Sequence, residues 1–134
     1  MKLTMYNDKN CNLLTLYNLP RDLENLKKER VWMKSGAYLV IEQTEAMVVI
    51  DVNTGKSVDK HSFEEHLLRI NSEAAVEVCR QLRLRNLSGI IVVDFINMKQ
   101  PGSMDVIKDI LDRSLQRILF LQHLWMLLSF PWWN

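Results

Sequence analysis

Two short stretches carry residues whose types and spacing could do chemistry. In "AMVVIDVNTGK" an apolar run, Val48 to Ile50, ends at Asp51, with Asn53 two residues on and a Thr-Gly turn behind it. In "GIIVVDFINMK" the arrangement returns: Ile90 to Val93, then Asp94, then Asn97. Side chains alternate along a strand, so Asp51 and Asn53 point to one face. If the two strands are neighbours, both carboxylates converge at one end of a sheet. Close carboxylates repel, and a divalent cation removes the repulsion. Mg²⁺ suits such a pair, because it takes one or two protein carboxylates and keeps several waters. Asn53 would then orient a carboxylate or a water from behind. The plainer account is that aspartate often opens the loop after a strand. Spacing alone leaves the two accounts level.

Other candidates are less specific. "CRQLRLRN" sets Arg80, Arg83 and Arg85 at the end of a helical pattern. A guanidinium fork matches phosphate oxygens, but cations at a helix C-terminus are favourable for their own reason, and the pattern alone prefers that reading. His61, His66 and His123 show no ligand spacing and read as surface or tail residues. Trp32, Tyr38, Phe63 and Phe95 could stack on bases; core packing is the expected role. There is no Gly-rich phosphate loop, no Gly-x-Ser-x-Gly elbow and no Cys/His nucleophile pair. Cys11 and Cys79 share no short spacing and read as free thiols of a reducing compartment. Cys79, inside a helical pattern, is expected to be a small buried hydrophobe.

These residues need elements to position them. Met1 to Asn18 is polar and without a steady period, a loose opening segment. Leu19 to Arg30, with Pro20 near its start, predicts a short surface helix. "AYLVIEQ" (Ala37 to Gln43) and "AMVVIDVN" (Ala46 to Asn53) predict an antiparallel hairpin. From Ser62 to about Leu84 the stripe Leu67, Ile70, Ala74, Ala75, Val78 and Leu82 predicts an amphipathic helix, opened by a Ser62/Glu65 capping box and stopped by "NLSG". Ile90 to Ile96 is a continuous apolar run, expected to be a central strand covered on both faces. A last helix starts near Ser103, with Val106, Ile107, Ile110 and Leu111 on one side. The order after the hairpin gives an α/β or α+β layer fold.

Composition agrees. The chain has 134 residues, 48% hydrophobic and 25% charged, which suits one globular domain. Its net charge of +1 neither points to nor excludes a nucleic-acid partner. "MKLTMYNDKN" lacks the apolar core of a signal peptide. The apolar tail "ILFLQHLWMLLSFPWW" is shorter than the ~20 residues of a membrane span and contains Gln122 and His123, so no membrane association is expected.

"VWMKSGAYLVIEQTEAMVVIDVNTGK" and "INSEAAVEVCRQLRLRNLSGIIVVDFINM", in that order, closely resemble the ribonuclease E/G family, over about Tyr17 to Met98. The resemblance implies an α/β fold with a mixed sheet and flanking helices, similar to deoxyribonuclease I. It implies a hydrolase that cleaves single-stranded RNA endonucleolytically, in RNA processing and decay. The catalytic residues would be Asp51, Asp94 and Asn53, with Mg²⁺ held by Asp51 and Asp94. Arg80, Arg83, Arg85 and Lys34 become candidate RNA contacts. Residues 1–30 form an opening segment with a short helix, 31–112 the catalytic-core region and 113–134 an atypical hydrophobic tail. "YNLPRDLENLKKERVWMKSGAYLV" and "RLRNLSGIIVVDF" resemble the plant plastid branch more than the bacterial members, which points to the chloroplast stroma; a bacterial cytoplasm is the alternative.

There are departures. Asn97 stands where the family has aspartate, and Ala37 where it has glycine. The family's S1 and 5′-end sensor domains would not fit before Tyr17. Its zinc-binding Cys pair is absent, so an oligomer joined through zinc is not expected, although the full-length family forms homo-oligomers. The chain therefore reads as a fragment of a larger enzyme, active or surviving as an RNA-binding module or gene relic. After about Asp112 the family pattern stops. Trp and Met have single codons, so Trp125-Met126 read one base earlier encodes Asp, Trp132-Trp133 Val and Trp133-Asn134 Glu, which matches the family's "LVE". The tail thus reads as translation out of frame, with a hydrophobic helix as the alternative.

Overall fold

The computed structural model describes residues 5–55, 63–116 and 125–129. Two short helices open it: α1 (Leu13–Leu16) and α2 (Leu19–Leu26). The opening segment is thus more ordered than its polarity suggests, because Asn12 caps α1 by accepting a 2.8 Å hydrogen bond from the Leu14 N–H. Pro20 sits in the first turn of α2, as expected. A short strand that no sequence period announced follows, β1 (Arg30–Trp32). Then come the predicted hairpin, β2 (Tyr38–Gln43) and β3 (Met47–Asn53), the long helix α3 (Phe63–Leu84), β4 (Ile90–Asp94), α4 (Ser103–Gln116) and β5 (Trp125–Ser129). The Ser62 cap lies outside the described residues.

The sheet is mixed and five-stranded, in the order β1-β2-β3-β4-β5. β1, β2 and β3 pair antiparallel, whereas β3, β4 and β5 run parallel. From β3 onward the sheet advances one strand at a time, through α3 and then α4. Two crossovers of the same hand advancing the same way place both helices on one face.

That face is the core. Leu39, Ile41, Val48, Ile50, Val52, Ile91 and Val93 pack there against Ile70, Ala74, Val78 and Leu82 of α3 and Ile107 and Leu111 of α4. On α4 the buried stripe is narrower than predicted, with Val106 exposed. The expectation that β4 is covered on both faces is corrected: Ile91 and Val93 are buried, but Val92 is half-buried and Ile90 exposed. The physical reason is the one-sided placement of the helices.

α3 ends by a backbone device. Asn86 takes φ 53°; its N–H bonds the Arg83 carbonyl at 3.3 Å, and the Leu87 N–H bonds the Leu82 carbonyl at 2.9 Å. This is a Schellman closure with asparagine in the left-handed position, and "NLSG" carries it as predicted. Residues 125–129 form β5 parallel to β4, so the helical alternative for that stretch of the tail is corrected; 117–124 and 130–134 lie outside the described residues. No helix among the described residues is long and apolar enough to cross a membrane.

Candidate active site

β3 and β4 are parallel neighbours whose register places Asp51 directly opposite Asp94. Both side chains point to the face away from α3 and α4, because their strand neighbours Ile50, Val52, Val93 and Phe95 are buried on the other side. Adjacent strands lie about 4.8 Å apart, so the two carboxylates stand side by side. Both are exposed. The Asn53 side chain shares their face, and its Nδ2 donates a 2.7 Å hydrogen bond to Asp51 Oδ2. That bond fixes one carboxylate oxygen, and among the described residues the other has no hydrogen-bond partner. Among the described residues neither aspartate has a cationic partner within 4.0 Å, and no group of three or more His, Cys, Asp or Glu side chains gathers. Two carboxylates with a supporting amide are a donor set that fits Mg²⁺, which keeps most of its shell as water.

The backbone around the pair is held from behind. Asn71, fully buried on α3, grips Ile96 twice: its Nδ2 donates to the Ile96 carbonyl at 2.8 Å, and its Oδ1 accepts the Ile96 N–H at 3.0 Å. Glu64 on the same helix accepts the Lys99 N–H at 3.0 Å. The chain leaving Asp94 is therefore tied to α3 at two places. On the β3 side, Glu73 accepts the N–H groups of Lys34 and Ser35 at 2.8 and 3.3 Å, anchoring the β1–β2 turn. Gly55, at φ +70°, approaches that turn so closely that a Cβ would run into the Gly36 carbonyl oxygen. The Thr-Gly turn after Asn53 thus needs glycine twice, for its dihedral and for the close approach.

Asn71 and Glu73 escaped the sequence reading. A signal existed: Asn71 falls inside the apolar stripe of α3, and a polar residue in that stripe must find a buried partner.

The other predicted residues are placed as follows. Lys34 lies in the β1–β2 turn, at the same end of the sheet as Asp51 and Asp94, and is exposed. Arg80, Arg83 and Arg85 lie near the C-terminus of α3, the end that leads into the start of β4, and so sit away from the carboxylates. Arg85 is engaged in structure: its Nε donates to Gln81 Oε1 at 2.9 Å and a terminal nitrogen to the Lys28 carbonyl at 2.7 Å. Burial lowers the pKa of its guanidinium. Arg80 pairs with Glu77 at 2.9 Å. Of the aromatic residues, Phe95 is core, whereas Trp32 and Phe63 are exposed; for those two the core expectation is corrected.

Comparison with known proteins matches residues 1–118 to the Ribonuclease E/G family. Ribonuclease G of Salmonella typhimurium is 37% identical over 105 residues, covering 78% of this chain and 22% of that protein. Ribonuclease E of Nostoc sp. is 46% identical over 87 residues, 65% of this chain and 13% of the relative. A chloroplastic ribonuclease E/G-like protein of Arabidopsis thaliana is 38% identical over 112 residues, 82% of this chain and 11% of the relative. The chain spans about a fifth or less of the length of these curated relatives.

Proposed function

The chain belongs to the ribonuclease E/G family, and from that premise we propose that Asp51 and Asp94 form the cutting centre of a Mg²⁺-dependent endoribonuclease acting on single-stranded RNA. The observation that carries the reading is the register of β3 with β4, which sets the two carboxylates opposite each other with Asn53 bonded to one of them. Asp51 and Asp94 would hold the ion. Bound there, Mg²⁺ supplies positive charge that lowers the pKa of water and offsets the charge gathering on phosphate oxygens.

The remaining work falls to the chain. Asn53 keeps Asp51 in one orientation, and Asn71 and Glu64 hold the strand end that carries Asp94. The face clear of α3 and α4 leaves the pair open to an RNA phosphate. Lys34, on the same rim, suits a phosphate contact close to the cut; Arg80 and Arg83 suit contacts further along the strand. The proposed location is the chloroplast stroma, supported by the plastid-like segment from Tyr17 to Val40 and by the chloroplastic name of the Arabidopsis relative; a bacterial cytoplasm is the second location, supported by the ribonuclease G relatives.

A 5′-monophosphorylated single-stranded RNA oligonucleotide incubated with the chain and Mg²⁺ tests the reading. Cleavage should fall about 10²–10³-fold in Asp94→Asn, the loss typical of removing one preorganised charge-stabilising group. Electron paramagnetic resonance should show Mn²⁺ bound by the parent and lost in an Asp51→Asn, Asp94→Asn double variant. Equal Mn²⁺ binding by the double variant would sink the proposed metal site, and RNA bound but never cut would leave a binding module.

A further inference from the structure

We propose that Trp32, with Arg30 and Tyr38, forms a stacking subsite for one base of the RNA strand whose phosphate lies at Asp51 and Asp94. The inference rests on the reading of that pair as the cutting centre.

β1 is the edge strand, and its side chains alternate. Val31 is half-buried toward the core, while Arg30 and Trp32 point to the open face. Trp32 is 63% exposed. Tryptophan offers one of the largest apolar surfaces of any side chain, and leaving it in water forgoes most of what its burial would contribute. Here it is joined by a second ring and a cation: the Trp32 and Tyr38 ring centroids are 4.9 Å apart with planes tilted 54°. The Arg30 guanidinium carbon sits 4.5 Å from the Tyr38 centroid and 5.9 Å from that of Trp32. Arg30 has no carboxylate partner within 4.0 Å among the described residues. An exposed indole beside a half-buried phenol ring and a guanidinium with no carboxylate partner among the described residues offers a base a π-face and its phosphate a fork of donors.

The register connects this platform to the carboxylates. Trp32, Tyr38 and Asn53 are opposite one another across β1, β2 and β3, and Arg30, Val40, Asp51 and Asp94 form the neighbouring row. A cleft beside the platform is lined by Arg30, Trp32, Tyr38, Asn53 and Thr54 and by the glycines Gly36 and Gly55. Asn53 thus borders the cleft and also bonds Asp51. Two strand spacings and two residues along the strand put Trp32 about 12 Å from Asp51. A stacked strand rises about 3.4 Å per nucleotide and an extended one more, so the base belongs within about three nucleotides of the cut phosphate. Stacking tolerates every base, so this subsite adds grip and register and does not read sequence.

The test uses the full chain with Asp94→Asn, so that RNA is bound and not cut. Anisotropy of a labelled single-stranded oligonucleotide reports affinity, and one abasic site is moved along it in turn. Trp32→Ala should weaken binding about 5- to 100-fold, and Trp32→Phe, which keeps a ring, much less. One abasic position, within about three nucleotides of the cut mapped with the parent, should weaken the Asp94→Asn chain yet cost Trp32→Ala nothing further. Circular dichroism melts check that each variant is folded. Affinity unchanged in Trp32→Ala, or a loss equal at every abasic position, overturns the subsite while cleavage by the parent leaves the cutting centre standing. Unchanged RNA affinity with lost self-association in sedimentation overturns it in favour of a protein contact. RNA bound by no variant and cut by none overturns both readings.

Discussion

Ile90 and Ile91 are adjacent in sequence and identical in chemistry, yet Ile90 is 40% exposed and Ile91 fully buried. They stand for the two faces of the sheet. One face is roofed by α3 and α4 and holds the aliphatic core. The other shows Met47, Val49, Val92 and Ile90 in part to solvent, beside Asp51, Asp94 and Trp32. The difference comes from connection: both crossovers advance the same way and deposit their helices on the same side. The chemistry-bearing side chains lie on the face left open, where a phosphate can reach them, and the α3 side chains that tie down the backbone around them, Asn71, Glu64 and Glu73, reach in from the closed side.

The sharpest way to break this contrast is to remove the same atoms from each face. Ile91→Ala should cost about 2–5 kcal/mol, the transfer and cavity terms together; Ile90→Ala should cost less than about 1 kcal/mol. Urea midpoints measure both, and comparable losses would mean that the second face is also covered in solution. Asn71→Ala acts on both faces at once. It leaves the Ile96 N–H and carbonyl without their partner, so about 1–3 kcal/mol of stability should go, together with cleavage, because the strand end behind Asp94 loosens. Asn53→Ala separates the two quantities. Cleavage should drop about 10- to 100-fold, as for other groups that orient a metal ligand, with the stability from urea unfolding within about 0.5 kcal/mol of the parent.

The mildest probe is a thiol on the closed side. Burial pushes the Cys79 pKa up to about 11 from a reference of 9.0. The folded state therefore keeps its proton more tightly than the unfolded chain. The stability this contributes is present below about pH 9 and is lost as pH rises through about 11. Urea midpoints between pH 8 and pH 10.5 should fall more steeply for the parent than for Cys79→Ala. At pH 8 a thiol reagent should label the half-buried Cys11 well before Cys79.

Much of the fold was legible because it rests on local period. The alternation of β2 and β3, the stripe of α3 and the "NLSG" stop each depend on neighbours within a few residues. β1 was not legible: three residues are too few to establish a period, and its partners on β2, from Arg30 with Val40 to Trp32 with Tyr38, lie beyond a local window. For the same reason the sequence favoured core packing over base stacking for Trp32, since only membership of an edge strand turns it outward. For the carboxylates the sequence showed strand-end aspartates and a resemblance, and the pairing of Asp51 with Asp94 needed the parallel register of β3 with β4.

What the sequence by itself determined is the hairpin, the long helix, the β4 and α4 segments, the family and the residue types at the strand ends, because hydrophobic period, turn chemistry and motif are properties of short segments. What only the tertiary structure decided is which face stays open, that Asp51 and Asp94 share it with Trp32, and that the arginines of α3 lie toward the opposite end of the sheet. Those facts follow from how crossovers stack helices on a twisted sheet, a relation between segments far apart in the chain that no window of residues contains.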